Sequence, residues 1–306
     1  MDRGEPPPLD VGGLIIMGKN VKGMGSALIP PVPNRRWDPV RHCTSFESLA
    51  SAKWRRNDLI SDLERGNAEH HALAKRLLAC RRASRCGSLA CTICMRRYHR
   101  WIAAESLRFL QHRSRSTVLQ VRATLSPFRC RFGCVDFDLP KIHAWLRDEL
   151  LGSGFGDLIV LGGINLTPLA WDPLLRSEAW AVRLDLLMTG GERVVSKAAI
   201  RKVFERFCPS NEDDGPQVWV QKVDCDCDCT VRLYDPLYYV VADYENLHTH
   251  NDEELPVHLF EVPVHAGVHR DMAVFLDHWR FSNLLFLQRA ELSGWRIKPT
   301  PRTHRL

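Results

Sequence analysis

Four cysteines fall within fifteen residues in the pattern Cys80-x5-Cys86-x4-Cys91-x2-Cys94. The closing Cys-x2-Cys is a short turn that lets two thiolates reach one ion. Four sulfurs around a tetrahedral centre make a structural zinc site, closed to further chemistry. The chain holds eleven cysteines, an odd and clustered set that suits metal ligation better than a disulfide framework. Four buried, unligated thiols are the alternative. A redox Cys-x-x-Cys would need a thioredoxin-like βαβ context, which the flanking sequence lacks.

Arginines crowd this cluster: Arg81, Arg82, Arg85, Arg96, Arg97 and Arg100. A guanidinium binds two phosphate oxygens at once, so these are the candidate DNA contacts. From Lys53 to Arg122 there are 16 Lys/Arg against 5 Asp/Glu, a surplus of 11 positive charges in a chain of net charge +6. A concentrated positive region marks a phosphate-binding surface or a solvated helical face.

A second group, Cys225-x-Cys227-x-Cys229, alternates with Asp224, Asp226 and Asp228. At strand spacing its three sulfurs share one face. They can join Cys130 and Cys134 in a second zinc site, or form a plain apolar face beside an acidic one. His248, His250, His258, His265 and His269 read as loop histidines. No Walker loop, nucleophile elbow or His-Glu-x-x-His is found. The stretch Val11–Met24 lacks the ending of a phosphate loop.

The elements that must position these groups follow from periodicity. Residues 1–40, rich in Pro and Gly, are expected to form a disordered or loosely packed arm. Residues 41–115 form a helical region around the cysteine cluster. Ser45 is the expected first cap, Leu59, Leu63, Leu73, Leu77 and Leu78 mark apolar stripes, and a basic helix runs from about Arg96 to His112. Residues 116–250 change texture. Strands are expected at Val118–Leu125, ended by Ser126-Pro127, at Leu158–Thr167, at Glu178–Met188 and from Val218. Helices are expected at Lys141–Leu151 and at Ser196–Phe207, the latter capped by Ser196. Asp235 opens a short helix carrying Tyr238 and Tyr239. Residues 251–306 add an acidic segment and an apolar helix, Asp271–Leu292, that packs back on the body. The order strand–helix–strand–strand–helix–strand is that of a split, ferredoxin-like α+β unit with an antiparallel sheet, preceded by the helical zinc-knuckle region.

The run Arg85-Cys86-Gly87-Ser88-Leu89-Ala90-Cys91-Thr92-Ile93-Cys94-Met95-Arg96-Arg97 resembles the Cys-Gly-Ser…Cys-Pro-x-Cys…Arg segment of rolling-circle replication initiators, plasmid and phage Rep proteins of the HUH endonuclease superfamily. Thr92 stands where a Pro is usual. Ala123-Thr124-Leu125-Ser126 is similar to that family's first-strand segment. Gly162-Gly163-Ile164-Asn165-Leu166-Thr167 is similar to its acidic-ligand strand, and Trp180–Met188 to its His-hydrophobic-His strand. Tyr238, Tyr239 and Tyr244 lie where its nucleophilic tyrosine helix would come. The resemblance covers roughly residues 78–245.

The resemblance implies a Rep palm in which two histidines and an acid hold Mg²⁺ or Mn²⁺ and a tyrosine attacks the scissile phosphate. Here Arg183 and Asp185 replace the histidines, and Asn165 replaces the acid. A guanidinium cannot ligate a metal, and two oxygen ligands are too few to hold Mg²⁺ or Mn²⁺ tightly. Arg183 can instead bind phosphate as a fixed charge. An exposed, salt-bridged strand pair is the plain alternative for Arg183 and Asp185, and packing is the plain alternative for the tyrosines. The resemblance therefore implies a DNA-binding protein impaired in nicking, acting on single-stranded or hairpin origin DNA, with host replication factors as further partners. One alternative is an active nickase and strand transferase using Tyr239 or Tyr238. Another is a zinc-stabilised protein-interaction scaffold. With neither an apolar span nor a secretory leader, a cytoplasmic protein without a membrane role is expected.

Overall fold

Ser48 and Asn67 open two consecutive helices. The Ser48 hydroxyl accepts from the Ser51 N–H at the start of α1, Leu49–Leu63. The Asn67 side chain accepts from the Glu69 and His70 N–H groups at the start of α2, Ala68–Ala79, and His70 Nδ1 accepts in return from the Asn67 N–H. Ser48 thus caps α1, the first helix among the described residues; the expected cap Ser45 lies outside them. The computed structural model describes residues 48–111, 117–131, 136–172, 177–190, 196–207, 218–223, 241–243, 261–263 and 266–300. The expected arm, Tyr238, Tyr239, Tyr244, Cys134, Cys225, Cys227, Cys229, His248, His250, His258 and His265 lie outside them.

The helix α3, Thr92–Gln111, is longer than the basic segment suggested and far less wet. It buries Ile93, Met95, Tyr98, Trp101, Ile102, Phe109 and Leu110, while Arg96, Arg97 and Arg100 are half-buried at its flank. α1 packs on both α2 and α3.

The rest is a mixed α+β arrangement around one antiparallel sheet. Its strands are β1 (Val118–Arg131), β2 (Ile159–Asp172), β3 (Ser177–Thr189) and β4 (Val218–Val223), with helices α4 (Leu139–Gly152) and α5 (Lys197–Glu205) between them. Two short strands, β5 (Val241–Asp243) and β6 (Glu261–Pro263), pair separately. The C-terminal part holds α6 (Ala266–Asp277), α7 (Phe281–Leu284), β7 (Leu285–Gln288) and a hairpin of β8 (Ala290–Ser293) with β9 (Arg296–Pro299). The five-stranded order is β4-β1-β3-β2-β7. β3 lies antiparallel between β1 and β2, so those two run parallel to each other.

Strand alternation sorts the residues by face. Leu119, Val121, Ala123 and Leu125 of β1, Trp180, Val182, Leu184, Leu186 and Met188 of β3, and Val160, Ile164 and Leu166 of β2 share one apolar, buried face. α4 meets this face where His143 lies 5.8 Å from the Phe286 ring, and Trp145 stands edge-on between Phe128 and Phe207. Gly162 lets β2 and β3 approach here. A methyl group added to it would sit 2.3 Å from Leu186 Cδ2 and 2.6 Å from the Asp185 carbonyl oxygen.

Four expectations need correction. β1 does not end at Ser126-Pro127: its pairing with β3 breaks after Leu125 and resumes at Arg129, opposite Ala181. A proline withholds one donor, and a local irregularity absorbs that loss without ending a strand. Ser196 occupies the cap position of α5 but makes no side-chain capping bond. The tail is not one helix from Asp271 to Leu292. It breaks after Asp277, and Leu285–Gln288 adds a strand to the free edge of β2, where Gly163 faces Leu285 and Val160 faces Gln288. A short apolar run can serve either period, and an open sheet edge settles it in favour of the strand. His269, expected in a loop, is buried in α6 beside Asp62, at 3.8 Å.

Candidate metal centre and sheet site

The four cysteines of the first cluster come from three local structures. Cys80 ends α2, and its N–H bonds the Leu77 carbonyl. Cys86 precedes Gly87, whose φ of +71° is the left-handed conformation that turns the chain back. Cys91 and Cys94 sit at the start of α3, where the Cys91 carbonyl accepts from Met95 N–H at 2.8 Å. Two bonds tie this segment to α1: Arg56 Nη1 donates to the Cys80 carbonyl at 3.2 Å, and the Thr92 hydroxyl to the Ala52 carbonyl.

The sulfur separations fit a shared ion. Cys80 and Cys86 each lie 3.7 Å from Cys94, Cys91 lies 3.8 Å from Cys80, and all four sulfurs fall within 4.8 Å of one another. Sulfurs bonded to a tetrahedral zinc at about 2.3 Å stand about 3.8 Å apart, whereas a disulfide brings them to about 2 Å. All four cysteines are free. Cys80, Cys91 and Cys94 are buried, and Cys86 is half-buried. The Ser88 N–H reaches the Cys86 sulfur, and the Cys86 N–H reaches that of Cys80. Such donors favour thiolates. The group can bind a metal such as zinc.

The protons divide unevenly among the bare sulfurs. Hydrogen bonds from Cys86, and then from Cys91 and Cys94, hold the Cys80 thiol far below its usual range. Cys86 is raised by Cys80 but lowered by more through Cys91 and Cys94 together. Cys91 and Cys94 are pushed up, foremost by Cys80 and then by Cys86. A divalent cation removes this conflict by letting every thiol ionise.

Nearby, Tyr98 is pushed up to about 12, by burial first and then by the sulfur charges of Cys94 and Cys86. It stacks on Phe281 with ring centroids 4.6 Å apart. So it packs as a neutral phenol and is a poor nucleophile. Burial, and then the neighbouring charge of Arg85, pull Arg97 below its usual value. Arg81 and Arg82 are exposed, and Arg85 is half-buried.

The sheet's other face carries the second constellation. Asn165 pairs with Arg183, and Arg122 and Gly163 both pair with Asp185. Asp185 is fully buried and accepts from three side chains. Arg122 Nε reaches its Oδ1 at 2.8 Å, while Asn165 Nδ2 and Arg183 Nε reach its Oδ2 at 2.6 and 3.1 Å. The sequence-predicted trio therefore converges, but not as a metal cradle: its one carboxylate, Asp185, is engaged by two guanidinium groups and an amide. Comparison with protein-family models, curated proteins and solved structures finds no match for this chain.

The pair Arg183–Asp185 is salt-bridged at 3.1 Å, as the plain alternative held, yet both residues are buried. Sequence reasoning missed Arg122. Its signal was there: Gln120, Arg122 and Thr124 alternate with Leu119, Val121 and Ala123, which marks a polar face on β1. The half-buried Cys130 pairs with Trp180 across β1 and β3; its companions in the second cysteine group lie outside the described residues. No helix among the described residues is long and apolar enough to cross a membrane.

Proposed function

We propose that this chain is a DNA-binding protein built like the rolling-circle replication initiators, with a structural zinc knuckle and a nicking site replaced by an ion-paired network. The four-sulfur geometry carries the reading. It suits zinc in spacing and donor type, and it stiffens a segment bearing Arg81, Arg82, Arg85, Arg96, Arg97 and Arg100. The repulsion between Arg85 and Arg97 is a cost that a bound polyanion would relieve.

The strand order β4-β1-β3-β2, with β3 between parallel β1 and β2, supports a ferredoxin-like palm of the Rep type. Loss of nicking follows from Asp185. Its oxygens accept from Arg122, Arg183 and Asn165, and a divalent ion placed there would face two guanidinium groups. Single-stranded or hairpin DNA is the ligand in this reading, and a cytoplasmic setting fits the reduced thiols.

Gel shifts with single-stranded and hairpin DNA across a salt series test this. Retardation at low salt that fades as salt rises is expected. No shift at low salt, or one indifferent to salt, removes the proposal.

A further inference from the structure

Two half-buried arginines beside the sulfur cluster each hold a buried donor that no described residue accepts. Arg56 reaches the cluster from α1. Its Nη1 donates to the Cys80 carbonyl and its Nη2 to Asn57 Oδ1, both at 3.2 Å. Its Nε is buried and has no acceptor among the described residues. Arg85 directly precedes Cys86, and its Nε is likewise buried without an acceptor among the described residues. Burial first, and then Arg85, pulls Arg97 below its usual value, while the Cys94 sulfur acts on it in the opposite sense. Arg85 and the sulfurs therefore share one neighbourhood.

A buried donor without an acceptor is destabilising, the more so on a charged group. Four neutral thiols give it no compensation. Four thiolates around a divalent ion do, because they leave two negative charges in a buried centre that itself needs cations close by. We infer that Arg56 and Arg85 belong to the metal centre: they offset the charge that the ion leaves on its four sulfurs, and Arg56 also fixes Cys80 through its carbonyl. The inference rests on the zinc knuckle of the proposed function and names the side chains that set how tightly the ion is held. Both are positioning residues, since a guanidinium offers no lone pair to a metal. With the Thr92 hydroxyl on the Ala52 carbonyl, the Arg56 bond pins α1 at Cys80 and again beside Cys91. Arg81 and Arg82 are exposed and have no such part.

The test is a competition titration of the full chain with Zn²⁺ against a chromophoric chelator. It is repeated with Co²⁺, whose sulfur charge-transfer and d–d bands report the ligands and their geometry. The unaltered chain is compared with Arg56→Gln, Arg85→Gln, the charge-keeping Arg56→Lys and Arg85→Lys, and the double change Arg81→Gln/Arg82→Gln. Each of Arg56→Gln and Arg85→Gln should hold either ion about tenfold more weakly, with the Co²⁺ bands unmoved because the four sulfurs stay. The lysine variants should recover most of that loss, and Arg81→Gln/Arg82→Gln should bind as the unaltered chain does. If Arg56→Gln fails to fold, Arg85→Gln decides alone.

If the unaltered chain takes up neither ion, the zinc reading and this inference fall together. If it does, and the glutamine variants hold the ion as tightly as it does, the inference is overturned and the zinc knuckle stands. Weakening that lysine does not recover, with shifted Co²⁺ bands, shows that the arginines only pack and also overturns it.

Discussion

Arg122 Nε and Asp185 Oδ1 lie 2.8 Å apart on paired positions of adjacent strands, the carboxylate wholly buried and the arginine reaching solvent. The bond turns a would-be ligand into the anchor of two cations. Removing one member therefore does more harm than removing the set.

Asp185→Asn removes the buried carboxylate to which Arg183 Nε donates. A loss of about 3–5 kcal/mol is expected, as for other broken buried pairs. Replacing Arg183 and Asp185 together by Met and Leu should recover most of that loss. Urea denaturation of the single and double variants checks this; a double variant as unstable as Asp185→Asn contradicts it.

Elemental analysis of freshly purified protein should find zinc held tightly by the Cys80, Cys86, Cys91 and Cys94 cluster. Chelation should lower the melting temperature, because metal-binding free energy is also folding free energy. Cys94→Ser, at a fully buried sulfur, should abolish retention of the ion. Melting that ignores chelation would mean the thiols merely pack together.

Gly162→Ala should destabilise the sheet by roughly 1–3 kcal/mol, the usual range for overpacking. The added methyl meets the Asp185 carbonyl, backbone that cannot swing aside. Gly152→Ala, where nothing lies within 4 Å of the added carbon, is the control. Equal melting of the two variants would rule out a tight β2–β3 approach.

His143 titrates below its ordinary 6.5, held there by burial, with Arg147 adding to the shift and the bond to the Asn283 carbonyl opposing it. The unfolded chain binds the proton first, so this residue lowers stability as pH falls through about 6.5 towards the folded value. Above that window it has no effect. Stability measured from pH 7.5 to 5 should decline less in His143→Gln than in the parent chain; parallel curves would show that the ring charges without penalty.

Much of the architecture was legible in the residues because their periods were unambiguous. Trp180, Val182, Leu184, Leu186 and Met188 alternate cleanly, and β3 follows them within a residue at either end. The cysteine spacing was equally plain, since ligand geometry is local. Legibility failed where the outcome depended on distant partners. Nothing near Leu285 announces a strand; only the open edge of β2 does. Nothing near Arg122 announces Asp185, 63 positions away. The arginines of α3 read as a wet helix because their charge is visible in sequence, while the C-terminal segments that bury its other side are not.

Those late segments matter for how the chain is made. Trp101 Nε1 donates to the Trp295 carbonyl and Arg296 Nη1 to Glu105, contacts that reach across more than 190 positions. On a ribosome the aromatic side of α3 would emerge long before its cover. It must wait, bare and adhesive, until the closing hairpin is synthesised. A stop codon placed just ahead of that hairpin would leave a nascent product dependent on chaperones, with its five-stranded sheet encoded and the aromatic side of α3 still unsheltered.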